Sequence, residues 1–261
     1  MKRTLLNRKN IEIPDFFAPY ISGATLYDSS CSCDAKVIFI DKGCGYYLKI
    51  APKGALFNES IMADYFHKKG LSCAALEYVS LDRDYLLTER VSGEDCTYKA
   101  YLDEPKRLAG VIGESLAMLH SLDFSDCPIK NRISTYFDFA EENYKKGICD
   151  LSFFDSCYCK ITADDAWRMA SEVKDLLKCD TLLHGDYCLP NIMLKKWKLS
   201  GFIDLGCGGV GDKHIDLFWG AWTLNFNLKT DRFRDVFFDA YGREAIDFGI
   251  LRAIGAIECF E

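Results

Sequence analysis

The chain predicts a segregated α+β architecture with a small β-rich unit over residues 1–92 and a larger, mainly helical unit over residues 93–261. Three observations predict it. β-branched and aromatic runs are concentrated in the first third, apolar residues at helical spacing fill the remainder, and a dense cluster of chemically capable residues begins at His184. With 261 residues, 49% of them hydrophobic, the chain can bury a substantial core.

In the first unit, Lys36-Val37-Ile38-Phe39-Ile40 and Tyr46-Tyr47-Leu48-Lys49-Ile50 read as strands. Between them lies Asp41-Lys42-Gly43-Cys44-Gly45, whose glycines suit a hairpin turn. A helix follows from Asn58, with apolar residues at 61, 62, 65 and 66; Asn58 is the expected cap and Gly70 the expected stop. Further strands are expected through 74–79 and 85–89. The second unit opens with Leu108, Val111, Ile112, Leu116 and Leu119, the stripe of an amphipathic helix. Later helices are expected across 166–177, 214–224 and 232–241, and a short strand over Leu199 to Ile203. There is no long linker, low-complexity block or repeat, so a short hinge, Glu89-Arg90-Val91-Ser92-Gly93, joins the two units.

The most informative stretch is Leu183-His184-Gly185-Asp186-Tyr187-Cys188-Leu189-Pro190-Asn191, followed by Ile203-Asp204-Leu205-Gly206. An Asp or Asn in a turn ordinarily satisfies nearby backbone groups and nothing more. The ordered set is another matter, since His-Gly-Asp, then Asn, then Asp-x-Gly with apolar flanks is the arrangement a phosphoryl-transfer site requires. Asp186 is the expected catalytic base, orienting a hydroxyl and taking its proton. Asn191 and Asp204 are the expected ligands of Mg²⁺, a cation that prefers hard oxygen donors.

Such a site needs a cation on a strand of the small lobe to meet the nucleotide phosphates, held by a carboxylate on the next helix. Lys49 stands in the apolar run of its strand and Glu59 begins the following helix, so the pair fits; Lys53, in a Pro-Lys-Gly turn, is the weaker alternative. Tyr47 lies two residues from Lys49 and shares its face of the strand, in position to stack on a base. The loop Ser29-Ser30-Cys31-Ser32-Cys33-Asp34 precedes the strand, with Ser32 the candidate to contact phosphates. Backbone groups at Glu89 and Val91 are expected to read the adenine edge.

The formal charge of −7 argues against nucleic acid or an anionic membrane as partner and favours a cationic small molecule. Thirteen cysteines is an odd count in a large chain whose first residues lack an apolar signal core, so free thiols in the cytoplasm are expected, not a disulfide scaffold. Cys31-x-Cys33 and Cys157-x-Cys159 lack the two-residue spacing of zinc knuckles. No apolar run approaches the ~20 residues that span a bilayer.

On Leu-His-Gly-Asp-Tyr-Cys-Leu-Pro-Asn from Leu183, Phe202-Ile203-Asp204-Leu205-Gly206, Asp212, Asp216 and Leu119-His120-Ser121-Leu122-Asp123, the chain resembles the aminoglycoside phosphotransferases, most closely the kanamycin-type 3'-phosphotransferases. The resemblance implies a two-lobed protein-kinase-like fold, ATP with Mg²⁺ as phosphoryl donor, and an aminoglycoside hydroxyl as acceptor. It implies Asp186 as base, Asn191 and Asp204 on the metal, Lys49 on the ATP phosphates and Glu59 behind it. Asp212, Asp216 and His184 are expected to support the catalytic loop. The expected protein is a cytoplasmic monomer, with choline or a sugar as alternative acceptors and a non-catalytic nucleotide-binding protein as a remoter reading. Where the family carries arginine after Asp-Leu-Gly this chain has Cys207, and the following helix carries Trp219, Trp222 and Phe226 in place of charged residues. Carboxylates for a polycationic acceptor are then sought among Asp138, Glu141, Glu142, Asp150, Asp155, Asp164 and Asp165, and at Glu258 and Glu261.

Overall fold

The computed structural model describes residues 3–7, 12–31 and 35–261. The N-terminal part is a six-stranded antiparallel sheet in the order β1-β2-β3-β4-β6-β5. Its strands are β1 (Thr4–Leu5), β2 (Thr25–Asp28), β3 (Lys36–Asp41), β4 (Tyr46–Pro52), β5 (Ala75–Ser80) and β6 (Arg83–Glu89). A short helix α1 (Ala18–Ile21) precedes β2, and α2 (Phe57–Lys68) lies between β4 and β5. Gly43 and Gly45 both adopt left-handed backbone in the β3–β4 turn, which is why glycine is found there. Alternation along the strands does the rest. Ile38, Ile40, Leu48, Ile50, Tyr85 and Leu87 turn to one face and close a core with Phe17, Ile21 and Leu26. Tyr47 and Lys49 are thereby left on the other face.

Asn58 does not cap α2. The helix begins one residue earlier, and Leu56 is its N-cap with no side-chain cap bond. The Leu56 backbone N–H is instead taken by the buried Asp84 carboxylate at 3.0 Å, which also accepts from the Tyr78 hydroxyl at 3.1 Å. Gly70, at φ +74°, follows the end of the helix as expected.

After β6 the chain forms β7 (Glu94–Asp95), α3 (Lys99–Leu102), α4 (Pro105–His120), α5 (Arg132–Lys146), α6 (Ser152–Asp155) and α7 (Ala163–Val173). Then come β8 (Thr181–Leu183), β9 (Ile192–Lys195), β10 (Lys198–Phe202), β11 (Gly209–Gly211), α8 (His214–Leu228), α9 (Arg234–Tyr241) and α10 (Phe248–Ile257). Two small antiparallel sheets, β10-β9-β7 and β11-β8, carry the polar motif on a helical scaffold. The helix expected over 166–177 starts earlier because Thr162 accepts from Asp165 N–H as its cap, and it ends at Val173 in a 3₁₀ turn over Lys174–Leu176. The helix expected from 232 starts at Arg234, after a turn in which Arg234 N–H donates to Asp231 C=O. Every described cysteine is a free thiol. No helix among the described residues is long and apolar enough to cross a membrane.

Helices α4 and α9 approach closely because Gly113 has no side chain: a Cβ there meets the Phe237 carbonyl oxygen at 2.5 Å and Ala240 Cβ at 2.9 Å. Gly113→Ala is therefore expected to destabilise the protein by about 1–3 kcal/mol, seen as a lower urea midpoint with unchanged slope. Gly110→Ala, on the same helix but with open space around its Cβ, is the control and should leave the midpoint unchanged or raised.

Candidate active site

The segment carrying Asp186 leaves β8 and is fixed chiefly by one carboxylate. Asp216, fully buried in the first turn of α8, accepts from His184 N–H at 2.8 Å and from Gly185 N–H at 2.7 Å, one oxygen for each. His120 Nε2 lies 3.1 Å from the same side chain, and His120 Nδ1 lies 2.9 Å from the Tyr241 hydroxyl. His184 is buried beneath the loop. Its Nδ1 accepts from Asp186 N–H at 3.2 Å, and its Nε2 lies 3.0 Å from Ile203 C=O, a pattern that assigns the Nε2–H tautomer. The imidazole thus ties the segment of Asp186 to that of Asp204. Asp212 supports a different region: it accepts from the backbone N–H groups of Lys178 and His214 and pairs with the His214 ring at 2.6 Å.

Gly185 sits at φ +85°, and a Cβ there comes within 2.0 Å of the Cys207 carbonyl oxygen. The loop is anchored below by Tyr187, buried, whose hydroxyl donates to Ile112 C=O at 2.7 Å, and by Leu189 N–H donating to Thr223 Oγ1 at 3.1 Å. Asn191 Nδ2 donates to Asp186 Oδ2 at 2.8 Å and to Asp186 C=O at 3.1 Å, so the amide oxygen faces elsewhere. Ile203 N–H donates to Asn191 C=O at 3.0 Å, which aligns the third segment.

The strand expected over Leu199 to Ile203 stops one residue sooner. β10 ends at Phe202 and Asp204 adopts left-handed backbone at φ +60°, a conformation Asp tolerates and that turns its carboxylate toward the sheet. There Lys49 Nζ lies 2.7 Å from Asp204 Oδ1 and 2.7 Å from Glu59 Oε2. Burial works against the Lys49 charge, but Glu59 and Asp204 outweigh it and hold its pKa above that of ordinary lysine. Burial, with Asp204 adding to it, pushes Glu59 up while Lys49 pulls it back. Lys53 lies in an exposed turn, away from this pairing.

These groups border a cleft of about 380 Å³. Tyr47, Lys49, Glu59, Glu89, Val91, Asn191 and Asp204 all line it. Asp186 is not among the lining residues, but its carboxylate touches Asn191, which is. Ser32 lies outside the described residues; Ser29 and Cys31 of the same loop line the cleft. Tyr47 is held from behind, with the Phe39 ring at 5.1 Å and the Arg3 guanidinium donating to its hydroxyl at 2.8 Å. The cleft's apolar walls are Val37, Leu86, Met193 and Ile203, none of them among the expected site residues. In sequence these differ in nothing from core positions of a strand.

The carboxylates of the 138–165 stretch are largely engaged locally. Glu141 and Glu142 pair with Lys145 and Lys146, Asp164 accepts from Tyr144, and Asp165 pairs with Arg168. Glu258 differs, being 1% exposed and accepting from the Tyr136 hydroxyl at 2.7 Å. Burial first, then Glu261 and Asp186, push its carboxyl well above the ordinary range.

A model of the family described as "Phosphotransferase enzyme family" matches residues 34–254. A probable aminoglycoside 3'-phosphotransferase of Lactococcus lactis is 48% identical over 255 residues, which cover 97% of each chain. An aminoglycoside 3'-phosphotransferase of Niallia circulans is 30% identical over 164 residues, covering 63% of this chain and 62% of its own. Among solved structures, a type VIII aminoglycoside-3'-phosphotransferase superimposes with a TM-score of 0.72 at 20% identity, over 92% of this chain and 94% of that one. A Streptomyces rimosus aminoglycoside phosphotransferase in complex with ADP and streptomycin gives 0.71 at 20% identity, over 95% and 99%. At that identity the structural matches speak for the two-lobed kinase-like fold.

Because the Glu258 carboxyl is raised in the folded state, it contributes stability that is fully present below the unfolded value, near 4.3, and lost as pH rises toward the folded one. Glu258→Gln keeps an acceptor for Tyr136 without that loss. Its thermal midpoint is expected to exceed that of the wild type at pH 8, with the advantage shrinking toward pH 4.5; a constant difference across a calorimetric pH series would contradict the assignment.

Proposed function

The chain belongs to the phosphotransferase enzyme family, and from that premise we propose that it transfers the γ-phosphoryl group of ATP to a hydroxyl of an aminoglycoside, inactivating the drug. The observation that carries the reading is a meeting of distant residues at one cleft. Lys49, Glu59 and Asp204 lie within single hydrogen-bond distances, and Asn191, bordering the same cleft, holds Asp186.

In this reading adenine lies between the apolar walls with Tyr47 alongside, its edge read by the backbone of Glu89 and Val91. Lys49, fixed by Glu59, meets the α and β phosphates. Asp204 and the Asn191 amide oxygen offer two hard oxygens from two segments, a donor set that fits Mg²⁺, which retains water and phosphate oxygens for its other positions. When bound, Mg²⁺ supplies neutralisation of the charge on the phosphates. Asp186, pinned by the Asn191 amide, aligns the acceptor hydroxyl and takes its proton as the new O–P bond forms and the bond to the β-phosphate oxygen breaks, releasing ADP. The net charge of −7 and the Asp186 carboxylate favour a cationic acceptor.

Coupled ADP release with a panel of aminoglycosides, choline and simple sugars tests the assignment. Turnover of kanamycin or neomycin is expected, and a blank aminoglycoside panel overturns the acceptor class. Asp186→Ala is expected to lower turnover by at least about a hundredfold with nucleotide affinity nearly intact. Activity close to the wild type would remove Asp186 from the role of base.

A further inference from the structure

Helix α8 bears a row of aromatic rings that the phosphoryl-transfer machinery does not use. Two of its residues face the catalytic segment, Asp216 through the His184 and Gly185 amides and Thr223 through the Leu189 amide. At about 100° of rotation per residue, Trp219 lies about 60° from Asp216 on the side of Thr223, with Phe226 and Trp222 next on that side. The aromatic row therefore begins at the flank of the catalytic loop. Trp219 and Trp222 meet edge to face at 5.4 Å, and Trp222 and Phe226 stack at 4.8 Å with 14° between planes. Phe153 of α6 backs both indoles at 5.6 and 5.5 Å.

Packing of α6 on α8 accounts for Phe153 but leaves the row unfinished. Phe226 is 54% exposed and both indoles are partly exposed. The chemistry of the rings is already visible at the outer end, where the Lys229 ammonium lies 4.3 Å over the Phe226 ring. At the inner end the Asp186 charge pushes the Glu258 carboxyl up and the Trp219 indole pulls it back.

We propose that Trp219 and Trp222, with Phe226 at the outer edge, form the stacking platform of the acceptor site and take the apolar C–H face of an aminosugar ring. The ring's hydroxyl then approaches Asp186 at the inner end of the row. This deepens the reading of the chain as an aminoglycoside kinase and rests on it. It also explains how a cationic sugar is held when Glu141, Glu142 and Asp165 are engaged by their own neighbours. Aromatic faces supply area and cation attraction, which salt screens less than exposed charge pairs.

The test combines kinetics with indole fluorescence, using kanamycin as probe and no nucleotide in the titration. Kanamycin should change the emission of the wild type saturably, and Trp222→Ala should lose that change. In the same variant the acceptor KM should rise by at least about tenfold with the ATP KM unmoved, while Trp222→Phe recovers most of the affinity. If Trp222→Ala does not fold, Phe226→Ala, whose ring is mostly in solvent, should give a smaller rise in acceptor KM alone. Turnover of kanamycin with acceptor KM unchanged in the folded variants overturns the platform and leaves the kinase reading standing. Saturable binding without turnover of any aminoglycoside upholds the platform and overturns that reading; absence of both binding and turnover overturns both.

Discussion

The site depends on one ammonium shared between two carboxylates that arrive from opposite ends of the chain. Lys49 sits on a strand whose flanking residues are buried, and without partners its charge would be costly there. Glu59 reaches it from the next helix and Asp204 from 155 residues further along. Glu59 is the more buried of the two partners and Asp204 is half exposed, so solvent screens the second pair more than the first. The same three side chains therefore tie the sheet to the helical part and aim the cation at the cleft.

The opposite wall is organised by backbone amides. The segment that carries Asp186 and Asn191 is held in place by side chains other than those two. Asp216 and Thr223 from α8, Tyr187 reaching α4, and His184 beneath the loop provide the support. Charge-assisted bonds to amides are among the stronger available, which suits an element whose geometry has to survive substrate exchange. Functional side chains are thus released from structural work, apart from the Asn191 amide that spans both tasks.

Much of this was readable in the sequence. The spacing of Asp186, Asn191 and Asp204 is local chemistry, and Lys49 stood out because a charge inside an apolar strand needs an explanation. The features that escaped depend on contacts remote in sequence or on single dihedral angles. The start of α2 is set by Asp84, which returns to Leu56 only after two more strands have formed, so Asn58 looked like a better cap than it is. Nothing in Ile203-Asp204-Leu205 announces the positive φ of Asp204. Leu86, Met193 and Ile203 carry the same hydrophobic signature whether they face a core or an open cleft. Glu258 was noticed only as one carboxylate among many; its burial beneath Tyr136 is a product of the whole helical packing.

The chain His184–Asp216–His120–Tyr241 carries a consequence for how such a protein can diversify. Tyr241 closes α9 and His120 closes α4, yet His120 lies two and Tyr241 three polar contacts from the amides that shape the turn before Asp186. Drift at these helix ends, remote from any drug, propagates into catalysis, whereas the aromatic row and the outer faces of α5 and α7 can be rewritten with little effect on that strut. New acceptor ranges should therefore emerge on one flank of the molecule, and loss-of-activity changes should scatter far beyond the cleft.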